Sequence, residues 1–373
     1  MKFVYVTKYK KIITNLFIYF VIFYLIINSK VVFMSISEST NIFIYKLIPA
    51  LFIYILITEL IINSGKDKNL SLGFGKILSK LFKIPTYTTP CVIIGFLLGY
   101  PNSAKYIQKL YDRGEIDSKT ATKLVAFTSN ANLAYIISTI GISMYNNIHI
   151  GIILAISHFL SAILIGMFLT PSNLNINSII QQTNINSNSF KQIYSPFDLL
   201  YISFKGTLKT LAYIFSYTVI FSLIPIVIIN KLNLSNLLNN LLIGICELSN
   251  GISSISMLNI DITLKLILTS FVLSFSSFMI IVQIFSFVYK VGVKFIDLVK
   301  YKLLQGVLSS IITYIILKFI YAPVLSVFTN KDNVMTNSNY LITSHICPST
   351  VYMLSIIFTM GLSYLLFRKK RQE

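Results

Sequence analysis

Two glutamates, Glu59 in "ITELI" and Glu247 in "ICELS", fall clearly inside apolar stretches; the other ten of the chain's 12 acidic residues do not. A carboxylate at bilayer depth costs a few kcal/mol, so it faces a cavity, a partner or water, and it suits the carriage of a proton or of a charged solute. The alternative is structural. Each glutamate caps a broken helix, or sits at headgroup level near the end of its segment, as Ser64-Gly65 just after Glu59 allows.

A second group of polar residues surrounds an interruption. The stretch Gly95–Asn132 reads "GFLLGYPNSAKYIQKLYDRGEIDSKTATKLVAFTSNAN" and begins as a membrane span, then meets Gly99, Tyr100 and Pro101. Glycine is flexible, and proline lacks an N–H and restricts the residue before it, so a helix breaks there. Broken backbone is tolerated in a membrane only where it lines protein or water. A helix starting near Asn102 would aim its N–H groups into that space and favour an anion; otherwise the break is a turn at the membrane edge. Lys105 either balances an anionic substrate or is a cytoplasmic topology charge. Asn130 and Asn132, in "FTSNAN", cap the next helix or line a pocket, since amides and hydroxyls orient small polar ligands. Gln108 and Gln283 join these candidates, and Asn250 with Gly251 marks a second break after Glu247.

The elements that must position these residues are membrane helices. Of 373 residues 55% are apolar and 12% charged, with mean hydropathy +0.76; a soluble chain carries about 25% charged residues. Apolar segments at about 12–34, 42–63, 88–100, 124–146, 150–170, 208–230, 238–258, 264–289, 303–322 and 350–367 approach or exceed the ~20 residues of a crossing. The fold class is an all-α polytopic membrane protein; a β-barrel would show short alternating strands. The net charge of +19 sits between the apolar runs, as the positive-inside rule requires, and argues against nucleic-acid binding. Cys91, Cys246 and Cys347 are too scattered for a redox pair, and His149, His158 and His345 form no metal-spaced pair, so neither metal nor cofactor is expected. Enzyme signatures are missing: there is no P-loop, no G-x-S-x-G and no H-E-x-x-H.

Charge also orients the chain. Lys8, Lys10 and Lys11 put the start inside, with the run Ile12–Met34 retained as a first span rather than a cleaved signal. "SISEST" (35–40) lacks Lys and Arg and reads as an outside turn; residues 64–87 and 105–123 are basic and read as inside. Two neighbouring inside loops make 88–100 a re-entrant hairpin. About eight full crossings with one or two partial ones result, with both termini cytoplasmic. The polar stretch 171–197 divides a first half, 1–170, from a second, 198–373. The halves look duplicated: aligned without gaps, "GFLLGYPNSAKYIQ" (95–108) and "SFVLSFSSFMIIVQ" (270–283) match at Phe96/Phe271, Leu98/Leu273 and Gln108/Gln283. Transporters are commonly built from such repeats, parallel or inverted.

"GYPNSAKYIQKLYDRGEI…LVAFTSNAN" resembles the signature of the YlbJ-type sporulation integral membrane proteins, which carry the nucleoside-recognition Gate domain; "CELSNGISSIS" and "SFVLSFSSFMIIVQ" are similar to later segments of that family. The resemblance covers about residues 45–320. Ser103 stands where the family usually has glycine, Leu133 where it often has proline, and Ser276-Ser277 where it has a glycine pair. The resemblance implies spore maturation, transport of dipicolinate into the developing spore, and residence in the mother-cell-derived outer forespore membrane. The expected function is transport of a small polar, anionic solute across the lipid bilayer. Nucleoside or nucleobase transport and a non-transporting sporulation scaffold are the alternatives, and self-association into a homo-oligomer is left open.

Overall fold

In a computed structural model, every regular element among the described residues is helical. The structure describes residues 25–65, 67–71, 74–169, 195–229 and 235–321, together with Tyr19 and Phe23. The start of the run 12–34, most of the polar linker, and the expected crossing at 350–367 with the basic tail lie outside the described residues.

Polar burial is the inverse of a water-soluble fold's. Phe33, Phe168, Phe197, Tyr201 and Phe319 face outward, whereas Glu247, Lys302, Gln305, His158 and Asn130 are buried. Hydrocarbon offers no hydrogen bonds, so polar side chains turn inward and find partners there. Among the described residues, five helical stretches are long and apolar enough to cross a membrane: 29–63, 148–168, 196–225, 262–291 and 295–319.

The first stretch overturns an expectation. Helix α1 (Ser29–Ile42), a π-turn (Phe43–Leu47) and α2 (Ile48–Asn63) run on without interruption, so "SISEST" is helix and not an outside turn. Ser35, Ser39 and Thr40 find partners laterally or locally. Thr40 Oγ1 donates back to Ile36 O at 2.7 Å, Ser35 Oγ donates to Ser222 O at 3.3 Å, and buried Ser39 accepts from Asn250 Nδ2 at 3.0 Å. Without that turn, the step that put both its flanks on one side of the membrane fails.

Several lysines counted as topology charges also do structural work. Lys109 Nζ donates to Ile62 O at 2.7 Å, at the C-terminal end of α2. Lys123, only 5% exposed, donates to Phe82 O at the end of α3 (Gly75–Phe82). Cations suit these ends because the last carbonyls of a helix are unpaired and carry partial negative charge.

The interior is built from half-length helices. Helix α4 (Thr89–Leu97) has 9 residues and α5 (Asn102–Asp112) has 11, or about 13 and 16 Å of rise, against the ~30 Å of a bilayer core. The segment 88–100 is therefore no crossing. Asp117 starts α6 (Ser118–Thr128), its Oδ1 accepting from Thr120 N at 2.9 Å. The chain then loses helical form at Ser129–Asn132 and continues through a π-helical segment, Tyr135–Met144, into α7 (Ile148–Phe168). The expected span 124–146 is thus broken near its start.

After α8 (Pro196–Ile229), helix α9 (Asn236–Cys246) and α10 (Leu248–Ser256) form a hairpin about Glu247, whose backbone is extended. Gly244 and Gly251 would lie about 10 Å apart along one continuous helix; instead a Cβ on Gly251 would sit 2.0 Å from Gly244 Cα. The break therefore falls at Glu247 itself, and Asn250 and Gly251 lie in the first turns of α10 rather than forming it. Helix α11 (Ile262–Phe275) gives way to α12 (Ser277–Val288) at Ser276, and α13 (Phe295–Ile316) closes the bundle.

The α11–α12 junction explains a departure noted in the sequence. Ser276 and Ser277 have φ of +68° and +49°, where the resembled family has glycines. A side chain in that region costs about 1–2 kcal/mol. Ser276→Gly should therefore stabilise the protein by about 0.5 kcal/mol net of the unfolded chain's added freedom, read as a higher unfolding temperature in detergent.

Candidate functional site

Four interruptions meet inside the bundle. Tyr100 N donates to Asn130 O at 2.8 Å, joining the break before α5 to the break after α6. Gly99, with φ +72°, allows this approach: a Cβ there would lie 2.7 Å from Asn132 N and 2.9 Å from Asn130 O. Tyr135 OH and Ser249 Oγ, 3.2 Å apart, join the second break to the α9–α10 hairpin. His158 on α7 reaches the fourth: its Nε2 accepts from Ala131 N at 3.1 Å and its Nδ1 lies 2.8 Å from Ser274 Oγ. An Nε2 that accepts carries no proton, so Nδ1 is the donor to Ser274 and the ring is neutral.

The second break is held from behind by α13. Lys302 Nζ donates to Ser129 O and, at 2.8 Å, to Gln305 Oε1. Gln305 Nε2 donates to Asn130 Oδ1 at 3.0 Å, and Asn130 Nδ2 donates to Phe127 O at 2.8 Å. Asn132 Oδ1 caps the π-helical segment by accepting from Tyr135 N at 2.6 Å.

Where the breaks converge lies a narrow cleft with a cavity of about 30 Å³, open at its mouth and lined by Leu47, Leu51, Tyr100, Asn132, Tyr135, Ile214, Leu248, Ser249, Met279, Ile280 and Gln283. Most of this wall is apolar. Two lining groups are buried polar atoms with no hydrogen-bond partner in the protein: Tyr100 OH and Gln283 Nε2. Both can donate. A cavity of this size holds a few waters; its donors suit the acceptor oxygens of a small ligand, which must widen the cleft to enter. Asn102 Oδ1 and Ser103 Oγ at the start of α5, and Ser277 Oγ at the start of α12, are likewise buried and unpartnered.

The sequence candidates separate into three groups. Tyr100, Asn132 and Gln283 line the cleft. Gly99, Pro101, Asn102 and Asn130 shape the breaks around it; Asn102 Nδ2 is spent on Leu98 O at 3.2 Å. The rest lie elsewhere or do other work. Gln108 is half-buried on α5 and does not line the cleft. Lys105 is paired with Glu59 at 2.7 Å and also donates to Thr210, with Gly206 so close that its Cβ would lie 2.8 Å from the Glu59 carboxylate. Glu247 caps α10, accepting from Ser249 N at 3.0 Å and Asn250 N at 2.6 Å. Asn250 ties α10 to α1 through Ser39. The two glutamates thus hold different structural positions, the first in an ion pair and the second at a helix start.

Lys302, Gln305 and His158 were not among the sequence candidates. A signal existed: Lys302, Gln305, Ser309 and Thr313 recur at helical spacing in an apolar segment and are all buried. Starting the segment at residue 303 assigned Lys302 to a loop.

The chain is 20% identical over 293 residues to the sporulation integral membrane protein YlbJ of Bacillus subtilis (strain 168), covering 68% of this chain and 72% of that protein. This distant similarity supports the family resemblance of the sequence. No protein-family profile matches the chain, and no solved structure matches it.

Proposed function

We propose that this chain is a membrane transporter of a small polar, anionic solute and that it serves sporulation, moving dipicolinate into the developing spore from the mother-cell-derived outer forespore membrane. The observation that carries this reading is the cleft, two of whose lining residues, Tyr100 and Gln283, each keep a buried donor, Tyr100 OH and Gln283 Nε2, without a protein partner. An unmet buried donor costs about 1–3 kcal/mol, and the oxygens of a carboxylate solute remove that cost. Broken helices around a central polar site are the form in which many transporters hold their solutes. The sporulation assignment comes from the similarity to YlbJ. In chain order, the two halves correspond by their interruptions, Gly99–Pro101 with Glu247 and Ser129–Asn132 with Ser276. This register differs from the gapless match of 95–108 with 270–283.

Full-length protein in proteoliposomes should take up labelled dipicolinate. Gln283→Ala should lower uptake about tenfold or more, the worth of a hydrogen bond to a charged group. The largely apolar wall with two carboxamides, Asn132 and Gln283, also fits a nucleobase, so unlabelled nucleoside belongs in the same assay. Strong competition by nucleoside would move the substrate to that class. Uptake of neither solute would leave the scaffold reading and remove transport.

A further inference from the structure

We propose that Lys302, a buried amine held by neutral protein oxygens, is the charge filter of this site: in its ammonium form it makes the cleft select an anion over its uncharged counterpart. The inference rests on the transport reading above and deepens it. Lys302 is 2% exposed, and its hydrogen-bond partners are Ser129 O and Gln305 Oε1. No carboxylate lies within ion-pair distance of it among the described residues. Lys105 meets Glu59 at 2.7 Å and Arg113 meets Asp67 at 3.2 Å, whereas buried Lys123, like Lys302, is held by a helix-end carbonyl, Phe82 O, but on α3 rather than at the break that lines the cleft. Ser129 is the residue just past α6, so the helix end offsets about half a unit of the charge. The remainder is a positive centre fixed inside the bundle.

That centre is coupled to the cleft by the break it holds. Lys302 binds the break at Ser129, and Asn132 of the same break lines the cleft; three residues of chain span no more than about 10 Å. The remaining half unit of charge at about 10 Å through an effective dielectric constant of about 20 changes affinity about fourfold per charge on the solute, and so more than tenfold for a dianion. His158, on the other side of the same break, accepts from Ala131 N and so is neutral. It adds nothing to that field.

A tether that merely steadies the break would have a different signature. Loosening the break weakens binding of every solute alike, whereas removing a charge changes the ratio between charged and neutral ones. The test is uptake competition in proteoliposomes of the full chain. Dipicolinate is set against pyridine-2,6-dicarboxamide, which has the same shape and no charge. The wild type should favour dipicolinate by tenfold or more, Lys302→Arg should keep that preference, and Lys302→Gln should bring the ratio close to one. A preference unchanged in Lys302→Gln would overturn the inference and leave transport standing. A wild type that does not discriminate would overturn it without any variant, so the test does not hang on folding of the mutants. Uptake of neither compound by the wild type would strike the transport reading itself.

Discussion

Gly251→Ala should leave little folded protein. The added Cβ would sit 2.0 Å from Gly244 Cα and 2.4 Å from Gly244 N, and neither atom can swing away as a side chain can. Helices α9 and α10 would have to separate, opening the hairpin that carries Glu247 at its tip. Overpacking a core ordinarily costs about 1–3 kcal/mol; contact of backbone on backbone puts this change at or above the top of that range, and about 3 kcal/mol shifts the folded-to-unfolded ratio more than a hundredfold. Gly95→Ala belongs to the same class, since its Cβ would lie 2.1 Å from Thr128 O, where α4 meets the end of α6. Gly244→Ala should be milder, because the tight contacts of its Cβ are with the two methyl groups of Val272, at 3.0 Å, and the Gly251 Cα lies at an ordinary 3.6 Å. Yield and unfolding temperature in detergent should rank Gly251→Ala and Gly95→Ala well below Gly244→Ala. Equal values for the three would contradict the close helix crossings on which the site is built.

These crossings show where sequence reading succeeds and where it stops. Helical class and the break at Gly99–Pro101 were legible because both depend on local chemistry: long apolar runs, and a Gly and a Pro two residues apart. The breaks at Ser129–Asn132, Glu247 and Ser276 carry no proline. The first two are held by partners from neighbouring segments or from the break itself: Lys302 to Ser129 O, His158 to Ala131 N, and Glu247's own carboxylate to the start of α10. Such partners lie far away in sequence or inside what looks like an uninterrupted apolar run. The reverse error arose at "SISEST". Four of its six residues are Ser or Thr, and such residues read as a loop when their partners, here Ser222 and Asn250, are not yet placed. Charge counting loses force for a related reason, because a lysine that caps a helix inside the fold looks in sequence like one that faces the cytoplasm. Among the site residues, Tyr100, Asn132 and Gln283 were legible as polar residues in or beside apolar segments. What sequence alone withheld was that Lys105 and Glu59 satisfy each other, which removes Lys105 as a free counter-charge and leaves Lys302 in that position.

Glu247→Ala should lose both stability and uptake, and Glu247→Gln should keep part of each. The carboxylate is fully buried and accepts two backbone N–H groups, Ser249 N on Oε1 and Asn250 N on Oε2. Removing a cap of this kind costs about 1–2 kcal/mol, and buried N–H groups left unmet add to it. Glutamine retains one acceptor oxygen and turns the other position into a donor, so one of the two bonds survives. Uptake follows because the first residues of α10 are the wall of the cleft: Leu248 and Ser249 line it, and Ser249 Oγ meets Tyr135 OH. If α10 frays at its start, that wall moves and the donors opposite it lose their geometry. On this account uptake and unfolding temperature fall together across wild type, Glu247→Gln and Glu247→Ala, with the alanine variant down about tenfold or more in uptake. A glutamine variant that unfolds at the wild-type temperature yet transports nothing would separate the two properties. In that case the negative charge of Glu247, and not its place at the head of α10, would be what transport uses.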